Sequence, residues 1–187
     1  MKKSILKFNQ LGQSLLETVF AIGILLLVAS AILALATANI VWQKESEFQI
    51  IANNLAREGV EVIRNIRDSN WLSGNNWDTG FEAGGAMIVR FNSASNSWQA
   101  ELGCSGSRLY NDSSGVYSHE VTPSPSAYAR CITIENICLD GSGSESIGSP
   151  CGVGDQKVGV KVTSVVNWQD RGRNRSTLIE DLLYEWK

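Results

Sequence analysis

The chain has 187 residues, with 16 basic and 19 acidic side chains, one histidine and four cysteines. That length fits one soluble domain joined to one further segment, and a formal net charge of −3 offers phosphate backbones no bulk attraction, so nucleic-acid binding is not predicted. No G-x-S-x-G, Walker A or H-E-x-x-H pattern occurs, so nothing in the sequence suggests an enzyme.

Lys2, Lys3 and Lys7 open the chain, Gly12-Gln13-Ser14-Leu15-Leu16-Glu17 follows, and after Glu17 no charge appears until Lys44. A bilayer core needs about 20 mostly apolar helical residues, and the run from Thr18 through Val41 is long enough to span one. Glu17 is the anomaly. A carboxylate in hydrocarbon costs roughly 3 kcal/mol on insertion scales and ordinarily has a partner. Cleavage between Gly12 and Gln13 would supply one, a new α-amino group four residues before Glu17. It would also remove three of the 16 basic residues, leaving 13 against 19 acidic ones. Basic residues before the span and an even cysteine count after it place the leader in the cytoplasm and the body outside, where disulfides persist. Within the run Ser30, Ala34 and Ala38 are spaced by four. Such a ladder lets helices approach closely, although alanine also simply fills apolar helices.

All three prolines lie late, at Pro123, Pro125 and Pro150, so nothing forbids one continuous helix from Gln13 to about Asp68. Beyond Lys44 the pattern turns amphipathic, with Phe48, Ile51, Leu55, Val62 and Ile66 at helical spacing and Glu45, Gln49, Asn53, Arg57, Glu61, Arg64 and Asp68 on the polar face. The first half is apolar all round and the second along one stripe, which suits a membrane or filament core followed by a face that seats a domain. Gly59 weakens this helix by about 1 kcal/mol relative to alanine and is expected to mark a curve.

Asn70 to Gly85 reads as a loop whose Trp71, Trp77 and Phe81 seal it to the core. Strands are expected at Ala86–Phe91 and Ser97–Leu102, then at Arg108–Tyr110 and Val116–Val121, and again at Tyr128–Ile134. Gly141 to Gly154 is Gly/Ser-rich and reads as a surface loop. Val158, Val160, Val162, Val166 and Trp168 alternate with polar residues, the clearest strand in the chain. Asp170 to Asn174 turns it, and Ser176–Trp186 returns as the last strand. One long helix followed by an antiparallel meander gives an α+β fold with the sheet packed on the helix stripe.

His119, beside Glu120 in an expected strand, reads as a surface histidine and not a catalytic base. Cys104, Cys131, Cys138 and Cys151 lack paired C-x-x-C spacing, so neither a metal nor another cofactor is expected. Four cysteines allow three pairings. The expected one joins Cys138 to Cys151, closing the Gly/Ser loop, and Cys104 to Cys131, each closure stabilising by about 3 kcal/mol. Arg171, Arg173 and Arg175 crowd the last turn, either as a solvated hairpin tip or as a contact for an acidic neighbour or a polyanion.

A short basic leader, a glycine at the cut, a glutamate five places into the mature chain and a long apolar helix together resemble the class III leader of the type IV pilin and pseudopilin superfamily. The resemblance implies that a prepilin peptidase cuts after Gly12 and methylates Gln13, and that Glu17 pairs with the terminal amine of a neighbouring subunit. The chain departs from the family at Gln13, where Phe or Met is usual, and at Ala34, in the region where many members carry a kinking proline. Asn54 to Asp68 and the closing hairpin, from Val160-Lys161-Val162 through Trp168 to Leu178–Trp186, resemble PilV-like minor pilins. The implied division is a leader at 1–12, a transmembrane or filament-core helix half at 13–43, an amphipathic half at 44–69 and an extracytoplasmic β domain at 70–187. The implied function is that of a minor pilin in a filament or its tip complex, on the cell surface after assembly. Its partners would be other pilin subunits, the peptidase and the assembly platform in the inner membrane. An I-type pseudopilin of type II secretion shares these features. Two readings stand outside the family. One is a secretory signal cut near Ala34-Leu35-Ala36, for which the apolar run is too long. The other is an uncleaved, anchored surface-binding protein or adhesin.

Overall fold

The computed structural model describes residues 11–148 and 150–185. The expected leader therefore lies outside the described residues except for Leu11 and Gly12, as do the side chains of residues 11–14, Gln13 among them, and Trp186 at the end of the last expected strand. One helix, α1 (Leu11–Leu72), precedes eight strands that form a single antiparallel sheet, which makes the fold α+β. The strands are β1 (Gly85–Asn92), β2 (Ser97–Leu102), β3 (Arg108–Asn111), β4 (Tyr117–Ser118), β5 (Pro125–Leu139), β6 (Glu145–Gly148), β7 (Gln156–Asp170) and β8 (Arg173–Tyr184). The chain divides after Ser46 into two units, the apolar half of α1 and a body that begins at Glu47.

The helix stops where its backbone is capped. Gly74 takes φ 72°, its N–H bonds to the Trp71 carbonyl, and the Asn75 N–H reaches the Asn70 carbonyl at 3.0 Å. That pair of bonds is a Schellman cap, which requires a left-handed residue and so favours glycine. The helix thus runs four residues past the expected end at Asp68.

In the body, β5 is the hub. One of its edges carries β7 over the register from Tyr128 opposite Trp168 to Leu139 opposite Gln156. Its other edge is shared by three short strands in turn: β3 beside Ala129, β1 beside Ile132 to Ile134, and β6 beside Asn136 to Leu139. Beyond β7 lies β8, paired over its whole length. The expected alternation in β7 holds, with Val160, Val162, Ser164, Val166 and Trp168 buried on the helix side. Two clusters fill the space between helix and sheet. One joins Val60, Ile63 and Ile66 to Phe81, Met87, Ile132, Ile134 and Leu183. The other joins Ala52, Leu55 and Ala56 to Leu109, Tyr128, Val166 and Trp168. Each large side chain so buried contributes roughly 1.5–3 kcal/mol. Trp77 and Phe81 seal the loop after the helix to the first cluster.

Three local expectations need correction. The stretch taken as the surface loop 141–154 contains β6, which pairs with β5 through its backbone. The strand expected over Val116–Val121 shrinks to Tyr117–Ser118, because His119 turns inward. The last turn needs only Arg171 and Gly172, with φ 49° and 75°, the two left-handed residues of a type I′ hairpin. The cysteines bond as Cys104–Cys131 and Cys138–Cys151, with Cα atoms 5.7 and 5.6 Å apart. The first bond ties the β2–β3 loop to β5, and the second ties β5 to the segment after β6.

Gly59 marks a contact more than a curve. A Cβ there would sit 2.5 Å from Ser164 Oγ, 3.2 Å from Arg130 Cδ and 3.3 Å from Ile132 Cδ1. Alanine at 59 gains about 1 kcal/mol in helix propensity, but overpacking against three neighbours costs up to about 3 kcal/mol, so Gly59→Ala should lower stability by up to about 2 kcal/mol net. Ser164 Oγ is buried without a hydrogen-bond partner, so Ser164→Ala alone should be neutral or stabilising. In that background the cost of Gly59→Ala should fall by about 1 kcal/mol or more. Urea unfolding of the full chain in detergent micelles, followed by tryptophan fluorescence, measures all three, and strict additivity would show that the contact does not limit packing.

Candidate functional site

The apolar half of α1 presents the surface with the most to explain. From Leu15 onward the helix is long and apolar enough to cross a membrane, and its most apolar stretch has no buried residue. Phe20 is 64% exposed and Leu27 72%, whereas Ala52 and Ile63 of the same helix are fully buried in the body. Apolar side chains on every side of a helix are stable only in an apolar surrounding, whether lipid or neighbouring helices. The hydroxyls in this half are satisfied from within: Ser30 Oγ donates to the Leu27 carbonyl at 2.8 Å and Thr37 Oγ1 to the Ala34 carbonyl at 2.9 Å. Such back-bonding satisfies these two hydroxyl donors within the helix, as an apolar surrounding requires. At the far end Trp42 is 62% exposed, two residues before Lys44, the order found where a span meets the headgroup layer. A long apolar helix near the start of the chain is consistent with a single-pass membrane anchor.

Glu17 stands exposed on this surface, and among the described residues no cation pairs with it. Gly12 and Gln13 lie on the same helix, one turn before it. The spacing that suggests a pairing carboxylate is thus kept on a helix, with no partner for it among the described residues. The four cysteines form their two bonds on the body, away from these residues in sequence.

The body contributes a buried polar group that the sequence reading passes over. Arg130 is 1% exposed. Its Nη1 donates to the Leu55 carbonyl at 3.1 Å and pairs with Glu58 at 3.3 Å, while Nε has no partner. Burial pushes its guanidinium below the usual range, and Glu58 pulls it back up. The signal was present in the period of two: Arg130 shares a face with Tyr128, Ile132 and Ile134, which marks it as inward-pointing. Beside it His119 is buried and not on the surface as expected. Its Nδ1 faces the Val89 carbonyl at 2.9 Å and its Nε2 the Arg130 carbonyl at 3.3 Å. The neutral ring carries one N–H and so donates to only one of these two carbonyls at a time. His119 and Arg130 line a cavity of about 500 Å³ with Phe91, Trp98 and Tyr117.

No protein-family model, curated protein or solved structure matches this chain.

Burial, and then the charge of Arg130, hold the His119 imidazole below its ordinary pKa of 6.5. The unfolded chain therefore binds a proton there at a higher pH than the native one does, and native stability falls as pH drops through 6.5. The loss should approach a slope of about 1.4 kcal/mol per pH unit and level off once the native ring protonates. Chemical unfolding of the wild type and His119→Gln between pH 8 and 5 checks this, with the variant expected to lose that component of the slope.

Proposed function

We propose that this chain is a structural subunit of a pilus-like filament, of the minor pilin kind, and not an enzyme. It would be made with the leader 1–12, cut between Gly12 and Gln13, methylated at Gln13, and held in the membrane by residues 13–43 with its body on the extracytoplasmic side. Entry into the filament would exchange lipid for neighbouring subunits around the same helix half. Its partners would be the prepilin peptidase, the assembly platform and other pilin subunits.

One observation carries the reading: α1 buries its second half under its own sheet and leaves its first half exposed on every side, with one carboxylate at the edge of that surface. A surface of that kind serves a lipid-held monomer and a packed helical core equally well. Within such a core water is excluded, and an unpaired charge costs about 3–5 kcal/mol. A Glu17 carboxylate facing the terminal amine of a neighbour's Gln13 satisfies both groups and fixes their axial register. A pseudopilin of type II secretion would use the same chemistry in a different machine.

Two measurements on membranes and sheared filaments test this. The mature protein should begin at Gln13, and Gly12→Ala should leave the larger precursor in the membrane. Glu17→Gln should be processed and folded normally yet depleted from filaments by at least about tenfold, because the neighbour's amine loses its counter-charge. A mature chain beginning at Met1 would favour the uncleaved anchor. Wild-type incorporation of Glu17→Gln would overturn the pairing.

A further inference from the structure

We propose that the β7–β8 hairpin tip, with Arg171, Arg173 and Arg175, is a contact surface for anionic phospholipid headgroups. The proposal rests on the reading of the apolar half as a membrane span. The charge there runs against the rest of the chain. The protein as a whole carries −3, yet Gln169 to Ser176 holds three arginines and only one acid, Asp170. Arg171 and Arg173 are exposed, and among the described residues neither forms an ion pair. A guanidinium is a planar fork that matches phosphate oxygens, which makes arginine well suited to headgroup contacts.

The register within the body fixes which end the tip occupies. Arg64 pairs with Asp181, Arg67 Nη1 donates to the Tyr184 carbonyl at 3.4 Å, and Thr177 Oγ1 donates to Asn53 Oδ1 at 2.6 Å. Moving along β8 from Tyr184 to Thr177 therefore moves down α1 toward its N-terminal side. Arg175 stands opposite Trp168, Trp168 opposite Tyr128, and the Tyr128 hydroxyl donates to the Phe48 carbonyl at 3.3 Å. At about 3.3 Å per strand residue, Arg173 lies roughly 13 Å beyond Thr177. Asn53 to Glu47 covers only about 9 Å of helix. The tip thus reaches the end of the body that carries Glu47.

The sequence sets the remaining distance. Trp42 marks the edge of the apolar run, and Glu47 follows five residues later, about 7.5 Å along the helix. That tether is covalent, so the Glu47 end of the body stays close to the edge of the apolar run. Glu47, Asp112 and Asp170 are acids at this end of the body, and Glu45 precedes Glu47 by two residues. Within the tip itself three arginines stand against Asp170 alone, which leaves the tip positive. Each arginine near an anionic leaflet should raise its local occupancy about fivefold.

The test uses the full chain reconstituted in nanodiscs of phosphatidylcholine, with or without phosphatidylglycerol. A fluorophore on Asn174→Cys reports proximity of the tip to headgroup nitroxides. A second, on Leu26→Cys in a separate sample, reports insertion against nitroxides in the lipid tails. Tip quenching should rise at least about twofold with phosphatidylglycerol, fall with salt, and be lost in Arg171→Gln/Arg173→Gln and in the triple glutamine variant. A tip signal indifferent to lipid charge, or unchanged in those variants, overturns the proposal while quenched Leu26 preserves the span. Unquenched Leu26 overturns the span and the tip contact together. Loss of tip quenching with inorganic phosphate, but not with sodium chloride of equal ionic strength, would assign the arginines to free phosphate and overturn the lipid assignment.

Discussion

Gly59 brings the backbone of α1 against Ser164 of β7 and Arg130 and Ile132 of β5, with no room for a side chain between. The seam between helix and sheet depends on that approach. Above it Ile63 and Ile66 meet the Phe81 and Leu183 side of the core, and below it Leu55 and Ala56 meet Tyr128 and Trp168. A wider separation at 59 would loosen both clusters, because interiors packed to crystal density lose contact energy for every fraction of an ångström of gap. The same closeness allows Arg130, rooted on the sheet, to donate to the Leu55 carbonyl of the helix. A charge buried this deeply costs several kcal/mol unless it is compensated. The single ion pair with Glu58 and the bond to Leu55 are what offset that cost, so Arg130 specifies where the helix sits more than it adds stability.

The two halves of α1 share one backbone and face different problems. In the body, half of the helix circumference has been solved by the sheet, and the polar face is tied by contacts such as Glu61–Arg64–Asp181. From Leu15 to Thr37 no part of the circumference is covered by the described residues. Placing Trp42 and Lys44 just before the division makes the change of surroundings coincide with the change of surface. The disulfides serve the part of the body with the thinnest apolar content. Cys138–Cys151 closes a segment of Gly, Ser and short strand, and Cys104–Cys131 pins a loop that joins no core cluster of its own.

How much of this was legible follows from what each element uses to hold its place. The helix, β7 and the β1–β2 hairpin were readable, because side-chain periodicity is what stabilises them. β6 was not, because its bonds to β5 are made by backbone while Glu145, Ser146 and Ile147 remain exposed, so composition does not record the pairing. His119 was misplaced because its ring lies between backbone carbonyls of β1 and β5 and its N–H can bond either, groups that every residue carries and no sequence pattern reveals. Gly59 shows a different limit. Propensity correctly flags it as a weak helix residue, but the reason it is there lies in strands more than 70 positions away. For the candidate site, the apolar run and Glu17 were visible as residues. Their exposure on every side was not, since a buried core helix can show the same composition.

The contacts that lock helix to sheet have a temporal consequence. Asn53 meets Thr177 across 124 positions and Arg64 meets Asp181 across 117, so the helix receives these partners only after more than 110 further residues have been made. Loop closure over such separations must precede any reward from the contacts, and topologies of this kind fold slowly. Until β8 arrives, the outer edge of β7 is unpaired and the helix lacks its contacts with Thr177, Asp181 and Leu183, an open strand edge beside an incompletely covered helix. The interval between emergence of α1 and docking of β8 is therefore when the chain is most open to mispairing with its own copies. A cut or truncation before Arg173 removes β8, the element on which that closure waits.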